Sequence, residues 1–298
     1  MGNSLKEIRR KISSVQNTQK TTRAMKLVSS SKLKKAEDVA KSSRVFAQKL
    51  NEMFQEIVQK LEFVGFENIS TPLFHASSKR ESKIVDLIFI TAEKGLCGGF
   101  NQATIKEVAN QISQYKERGI QVRLRGVGKK GVSYFSFNGI EIFDSLDGLS
   151  ANPNYETSSA FLKRSIDDFI CGKTDEVVII YNGFKTMISQ EVKIKKILPF
   201  EIEKQKRSLN QEMICVEPVE NEEQILEELA KKYTEYNFYY ALLDSLVAEH
   251  SARVQAMDAA TNNAGNLVRS LTISYNKARQ EAITTELVEI NAGVEAMK

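Results

Sequence analysis

Residues 219–298 read VENEEQILEELAKKYTEYNFYYALLDSLVAEHSARVQAMDAATNNAGNLVRSLTISYNKARQEAITTELVEINAGVEAMK and contain no proline. Between Leu226 and Ala296, a single heptad register places apolar side chains at 17 of its 21 a and d positions. Such a stripe predicts one long helix that packs against a partner helix. Because the period is strictly seven residues, the pair is expected to form a left-handed supercoil.

The N-terminal residues 1–71 also lack proline and carry an a/d register of the same kind, from Leu5 to Leu61. A helix with so much exposed apolar surface is not stable alone. We therefore predict that the two terminal helices pair in an antiparallel coiled coil. Each helical residue adds about 1.5 Å, and the C-terminal helix has more residues. It is therefore expected to project beyond the N-terminus of its partner.

The middle of the chain changes from a helical period to short apolar runs separated by turns. Strands are predicted at residues 84–91, 120–127, 177–181 and 192–198, and helices at 101–118 and 155–169. Alternating strands and helices are typical of an α/β fold, here a small open Rossmann-like sheet. The predicted segments are an N-terminal coiled-coil helix (1–70), the α/β domain (71–205), a linker (206–221) and a C-terminal coiled-coil helix (222–298).

Composition excludes several classes of protein. With 42% hydrophobic and 27% charged residues, 15 glycines and 4 prolines, the chain is neither collagen-like nor disordered. It has no apolar run long enough for a membrane span and no secretory signal. Its three cysteines form no CxxC pair, which fits neither a disulfide framework nor a zinc site and indicates a reducing compartment.

Two glycine-rich turns are the strongest candidates for a phosphate site. Residues 93–101 read EKGLCGGFN and residues 126–131 read GVGKKG, but neither matches the spacing GxGxxG or GxxxxGK[ST]. We interpret the first as a tight turn, with a nucleotide site as the alternative. We interpret the second as a surface turn that leads into an aromatic strand.

The sequence offers few residues for a catalytic site or a metal site. Only two histidines occur, His75 and His250, and His250 lies on the C-terminal stripe as a packed seam residue. Asp167 and Asp168 are adjacent on a predicted helix, so their side chains diverge by about 100° and suit solvated charges better than a catalytic pair. The sequence therefore predicts no catalytic residue, no cofactor and no metal site.

The N-terminal stripe is interrupted by a polar section, which we call the waist. Seam positions Gln19, Thr22, Lys26 and Ser29 are polar, and in antiparallel register they should face residues 253–263. One interpretation is a locally weak coiled coil in which small residues permit close approach. The other is that another protein surrounds the pair here, and the pair presents polar and basic groups to it instead of an apolar stripe.

Charge is distributed unevenly. Residues 1–60 hold 14 Lys and Arg against 5 Asp and Glu, although the whole chain has a net charge of only +4. A basic helix could bind nucleic acid, an anionic membrane or an acidic protein surface. Nucleic-acid binding is disfavoured because no aromatic stacking platform or base-reading motif accompanies the basic residues.

Four blocks of sequence resemble one known family, the gamma subunit of bacterial F-type ATP synthase. They read LKEIRRKISSVQNTQKTTRAMK (residues 5–26), GLCGGFN (95–101), AMDAATNN (256–263) and YNKARQEAIT (275–284). The resemblance implies a non-catalytic rotor shaft inside a hexamer of alpha and beta subunits. It also implies an epsilon subunit and the membrane c-ring as partners, no nucleic acid, and a peripheral position on the cytoplasmic face of the bacterial inner membrane.

The resemblance also implies which residues bind partners. Arg253, Arg279 and Gln280 correspond to groups that engage a loop of the beta subunit, called the catch loop. Thr284 and Glu286 lie near them in sequence. Met25 and Lys26 correspond to the waist of the N-terminal helix.

Overall fold

The computed structural model of the chain describes residues 2–64, 73, 83–200 and 222–297. The helices are α1 Gly2–Val64, α2 Phe100–Glu117, α3 Lys129–Phe137, α4 Tyr155–Ile170 and α5 Glu222–Ala296. The strands are β1 Ile84–Ile90, β2 Gln121–Val127, β3 Ile142–Leu146, β4 Glu176–Phe184 and β5 Gln190–Leu198. These elements form two compact units, one of Met1–Ser31 with Arg253–Lys298 and the other of Lys32–Ala252.

The larger unit contains a five-stranded sheet in the order β3-β2-β1-β4-β5. Strands β1 to β4 are parallel, and β5 pairs antiparallel to β4 at the edge. This confirms the predicted small open α/β sheet, with residues 192–198 in its edge strand. The central strand β1, IVDLIFI, is buried along nearly its whole length because both faces of the sheet are covered.

Side chains of β1 alternate between two apolar cores. Val85, Leu87 and Phe89 point to a core shared with α2 and α3, whereas Ile88 and Ile90 point to a core shared with α4 and α5. The period of two residues in a strand accounts for this division. The C-terminal helix is thus part of the domain core as well as a partner of α1.

The pairing of α1 with α5 follows the predicted heptads within this unit. Leu33, Ala36 and Phe54 on α1 are buried at seam positions. The Phe54 ring stacks on Tyr233 at a centroid distance of 4.3 Å, and the Tyr233 hydroxyl donates to Asn51 Oδ1 at 2.7 Å. The predicted long antiparallel helix pair is therefore confirmed, and His250 is buried as expected.

Residues 129–146 differ from the prediction. The expected surface turn and aromatic strand are wrong, because residues 129–137 form helix α3 and residues 142–146 form strand β3. The aromatic run suggested a strand, but Gly131 and Phe135 are buried four residues apart while Tyr134 and Phe137 are exposed. That spacing is helical.

The expectation that Asp167 and Asp168 are both solvated is wrong for Asp168. Asp167 is exposed, but the Asp168 carboxylate accepts hydrogen bonds from Arg123 Nη2 at 3.0 Å and Arg125 Nη2 at 2.8 Å. Arg125 is 1% exposed and also pairs with the fully buried Asp86 at 2.8 Å. A buried charge network therefore joins β1, β2 and α4.

Aromatic and acidic neighbours complete this network. The ring of Phe143 covers both guanidinium groups at 4.6 and 4.8 Å, and Asp144 accepts from Arg125 at 3.3 Å. Burial alone would lower the pKa of Arg123, but hydrogen bonding and attraction by Asp86 and Asp168 outweigh burial and raise it. The network thus holds Arg123 charged.

Several predictions concern residues outside those described. His75, Cys215 and the linker 206–221 are among them. The division of the chain at residues 70, 205 and 221 stays a prediction. In the described part of the chain, no helix is long and apolar enough to cross a membrane.

Candidate functional site: the paired helix ends

The waist lies in the smaller unit, where residues 1–31 of α1 pair with residues 253–298 of α5. Its predicted register is confirmed, because Thr22 Oγ1 lies 2.8 Å from Thr261 Oγ1 and Lys26 Nζ lies 2.6 Å from Asp258 Oδ1. Thr22 and Ser29 are buried between the helices. The Thr22 hydroxyl therefore bonds within the helix pair, and neither side chain is presented to a surrounding protein.

Hydrogen bonds involve the polar side chains of Gln19, Thr22 and Thr261 in the waist. Thr261 Oγ1 donates to the carbonyl of Met257 at 2.7 Å, and Gln19 Nε2 donates to the carbonyl of Thr261 at 3.4 Å. A Cβ atom at Gly265 would lie only 2.8 Å from Gln19 Nε2. Glycine here lets the Gln19 amide approach α5, so small residues and bonded hydroxyls replace apolar packing.

Met25 and Lys26, the two predicted waist residues, are both half-buried. The Lys26 ammonium is held by Asp258, with side-chain exposures of 39% and 48%. Exposed ion pairs of this kind contribute about 0–1 kcal/mol. The pair therefore fixes register more than it adds stability.

Arg253 is placed differently from the other predicted partner-binding residues. It is only 8% exposed and already interacts within the chain. A partner approaching this chain would find little of its guanidinium group at the surface.

Arg279, Gln280, Thr284 and Glu286 are all exposed on α5. Arg279 and Glu286 lie two turns apart on one side of the helix, and Gln280 and Thr284 lie one turn apart on the adjoining side. The Thr284 hydroxyl donates to the carbonyl of Gln280 at 2.9 Å. These four side chains form a polar surface that we call the C-terminal polar face.

The pairing register places this face near the end of α1. Extrapolation from the Lys26–Asp258 and Thr22–Thr261 contacts sets Leu5 opposite about residue 279. Residues 286–297 of α5 are exposed on every side, as expected of a helix that continues past its partner. The large apolar side chains exposed there are Leu287, Val288, Ile290, Val294 and Met297.

The first glycine-rich turn, residues 93–101, is a tight turn as interpreted. Leu96 and Gly98 adopt positive φ angles of 63° and 57°. In open α/β sheets, ligands bind outside the carboxyl ends of the strands, but helix α5 packs there. Ala248 and Ala252 of α5 form one buried cluster with Ala92, Cys97 and Phe100, so α5 covers the turn that follows β1.

Comparison with known proteins identifies the family. The family model described as ATP synthase matches residues 4–297. The ATP synthase gamma chain of Wolinella succinogenes is 59% identical over 298 residues, which cover 100% of each chain.

Solved structures agree with the fold. A chain from the mitochondrial ATP synthase central stalk and c-ring of Tetrahymena thermophila aligns with a TM-score of 0.58 and 27% identity, over 80% of this chain and 99% of that one. A chain from the Euglena gracilis mitochondrial ATP synthase aligns with a TM-score of 0.70 over 100% and 95% of the two chains. At 17% identity, this second likeness concerns the fold alone. The sequence match over the full length of the Wolinella protein settles the relationship, and the chain belongs to the ATP synthase gamma-chain family.

Proposed function

We propose that this chain is the central rotor shaft of an F1Fo ATP synthase. Its rotation inside a hexamer of three alpha and three beta subunits couples ion flow through the membrane c-ring to ATP synthesis or hydrolysis at the beta subunits. The chain itself is not catalytic. The observation that carries this proposal is 59% identity with a gamma chain over the full length of both proteins.

The partners follow from this role. The alpha and beta subunits surround the paired helix ends, and the epsilon subunit and c-ring bind elsewhere on the chain. Membrane association occurs only through the complex, at the cytoplasmic face of the bacterial inner membrane. The net positive charge of residues 1–60 supports an acidic protein surface as the neighbour of α1.

The C-terminal polar face is the proposed contact with the beta catch loop. Arg279 offers a planar set of donors suited to carboxylates, Gln280 and Thr284 add neutral hydrogen-bonding groups, and Glu286 lies on the Arg279 side of the helix. All four are exposed, so a partner can reach them without rearranging the helix pair. Arg253 contributes mainly by holding its part of α5, since it is buried.

Lower resistance to rotation is also part of the proposal, but it rests on other residues than Thr22 and Ser29. Those two side chains are buried at seam positions, so replacing them with leucine is expected to alter helix pairing. Exposed polar residues such as Lys20 and Arg23 form the outer surface of the waist. Their contacts with a sleeve are individually weak, at about 0–1 kcal/mol each.

Replacing both Arg279 and Gln280 with alanine tests the catch-loop contact. A hydrogen bond to a charged group contributes about 1.5–3 kcal/mol, so we expect ATPase turnover of the assembled complex to fall by about tenfold or more. The measurement is steady-state ATP hydrolysis at saturating ATP. An equal loss in the control Arg269→Ala, which removes an exposed arginine of α5 outside the face, would contradict the assignment.

A further inference from the structure

Helix α5 has a second contact face in addition to its seam with α1. Asn237, Asp244 and Ser251 are spaced seven residues apart, and all three bind the β4–β5 hairpin. Lys195 Nζ donates to Asn237 Oδ1 at 2.6 Å, and Lys193 Nζ donates to Asp244 Oδ2 at 2.7 Å. Ser251 Oγ donates to the carbonyl of Met187 at 2.9 Å. The hairpin is therefore attached at three points along about 21 Å of helix.

Asp244 is the central point of this row. Its side chain is 10% exposed, and its other oxygen accepts from the backbone N–H of Phe184 at 3.2 Å. A Cβ atom at Gly183 would lie 2.6 Å from Asp244 Oδ2. Glycine at this strand position lets the carboxylate reach the hairpin backbone.

Apolar residues of α5 pack beside the row. Ala241 and Ala248 of α5 are 2% and 0% exposed, and Phe238 belongs to the core shared with α4. Apolar contacts are not directional, so they resist sliding along or around a helix less than bonded polar groups do. The hydrogen-bonded row supplies the directional part of the attachment.

We propose that Asn237, Asp244 and Ser251 form a torque clamp, through which the β4–β5 hairpin passes rotation of the α/β domain into α5. This inference rests on the proposed rotor function. Torque that enters at the domain must reach α5 through contacts that do not slip. The row meets that requirement because its bonds are spread along the helix and include the ion pair of Lys193 with Asp244, whose side chain is only 10% exposed.

Replacing Asp244 with Asn tests the clamp in the assembled complex. The variant keeps the volume of the side chain but removes the charge that holds Lys193 and that accepts from the Phe184 amide. With the hexamer fixed and stalled, a bead attached to the α/β domain at the exposed Cys171 should show a larger angular variance than in the wild type. Stepping during ATP hydrolysis should persist.

The matched control is Lys185→Met on the same hairpin. Lys185 pairs with Glu191 at 3.2 Å, and both side chains are largely exposed, so the angular variance should equal that of the wild type. If Asp244→Asn leaves the variance unchanged, the clamp is overturned. If the wild-type chain itself does not turn in the hexamer, the rotor function fails first and the clamp fails with it.

Hydrogen exchange on the isolated full chain gives a second readout that does not depend on rotation. The Phe184 amide loses a charged acceptor in Asp244→Asn, so its exchange should become about tenfold faster. Lys193→Arg, which keeps the charge, should leave this amide close to wild type. Unchanged exchange at Phe184 in Asp244→Asn would contradict the proposal even if the complex assembles and turns.

Discussion

Replacing Arg125 with Met should lower the free energy of unfolding of the full chain by about 3–5 kcal/mol. Arg125 is 1% exposed and bonds to Asp86, which is fully buried, and to Asp168. Methionine keeps much of the side-chain volume, so the loss comes mainly from buried Asp86 and from Asp168, each of which loses one of its two arginine partners and keeps only the other, Arg123. Urea or guanidinium unfolding, followed by circular dichroism, measures this change.

The control for Arg125 is Arg164, which shares a carboxylate with the same network. Arg164 pairs with Asp144 at 2.9 Å but is 65% exposed. Arg164→Met should therefore cost less than about 1 kcal/mol, as is usual for exposed pairs. Equal effects of the two substitutions would show that the buried network does not hold the sheet and α4 together.

Replacing Gly128 with Ala should cost about 3 kcal/mol or more. Gly128 has a φ of 96°, and a Cβ atom there would lie 1.9 Å from the carbonyl oxygen of Thr91. Backbone cannot move aside as a flexible side chain can, so the turn between β2 and α3 must separate from the end of β1. The same unfolding experiment measures the loss.

Gly139 provides the matched control, since it also has a positive φ of 73° but an added Cβ would meet nothing within 4 Å. Gly139→Ala should therefore cost only the left-handed backbone strain, about 1–2 kcal/mol. If Gly128→Ala is no more destabilising than Gly139→Ala, the close approach to Thr91 is not what requires glycine.

Heptad periodicity allowed much of the helix pair to be predicted. In the smaller unit the half-buried and buried positions of α5 from Met257 to Thr285 include every predicted seam residue. The contact of Lys26 with Asp258 follows from the same register. A seven-residue repeat is a strong signal because a partner helix covers one stripe and leaves the rest exposed.

Contacts between distant segments were less predictable. Asn237, Asp244 and Ser251 repeat every seven residues, but polar residues at that spacing are equally typical of a helix face exposed to solvent. Only the position of the β4–β5 hairpin shows that they are bonded. Arg125 likewise lies in a segment whose sequence pattern is that of a half-exposed strand. Its buried partner Asp86 is 39 residues away in the sequence, so no local pattern indicates the contact.

The predicted partner-binding residues also differ in how well the sequence indicates their exposure. Arg279, Gln280, Thr284 and Glu286 lie on an exposed helix surface, where sequence resemblance and accessibility agree. Arg253 belongs to the same set by resemblance, yet its burial depends on packing that no local pattern reveals. The assignment of all five residues as partner contacts remains a prediction.

The rotor role is tested most directly by co-expressing this chain with alpha and beta subunits, purifying the complex by size exclusion, and assaying ATPase activity with and without the chain. We expect a complex of three alpha, three beta and one copy of this chain, whose multi-site ATPase depends on the chain. A hexamer that excludes the chain and hydrolyses ATP equally well in its absence would contradict the rotor function.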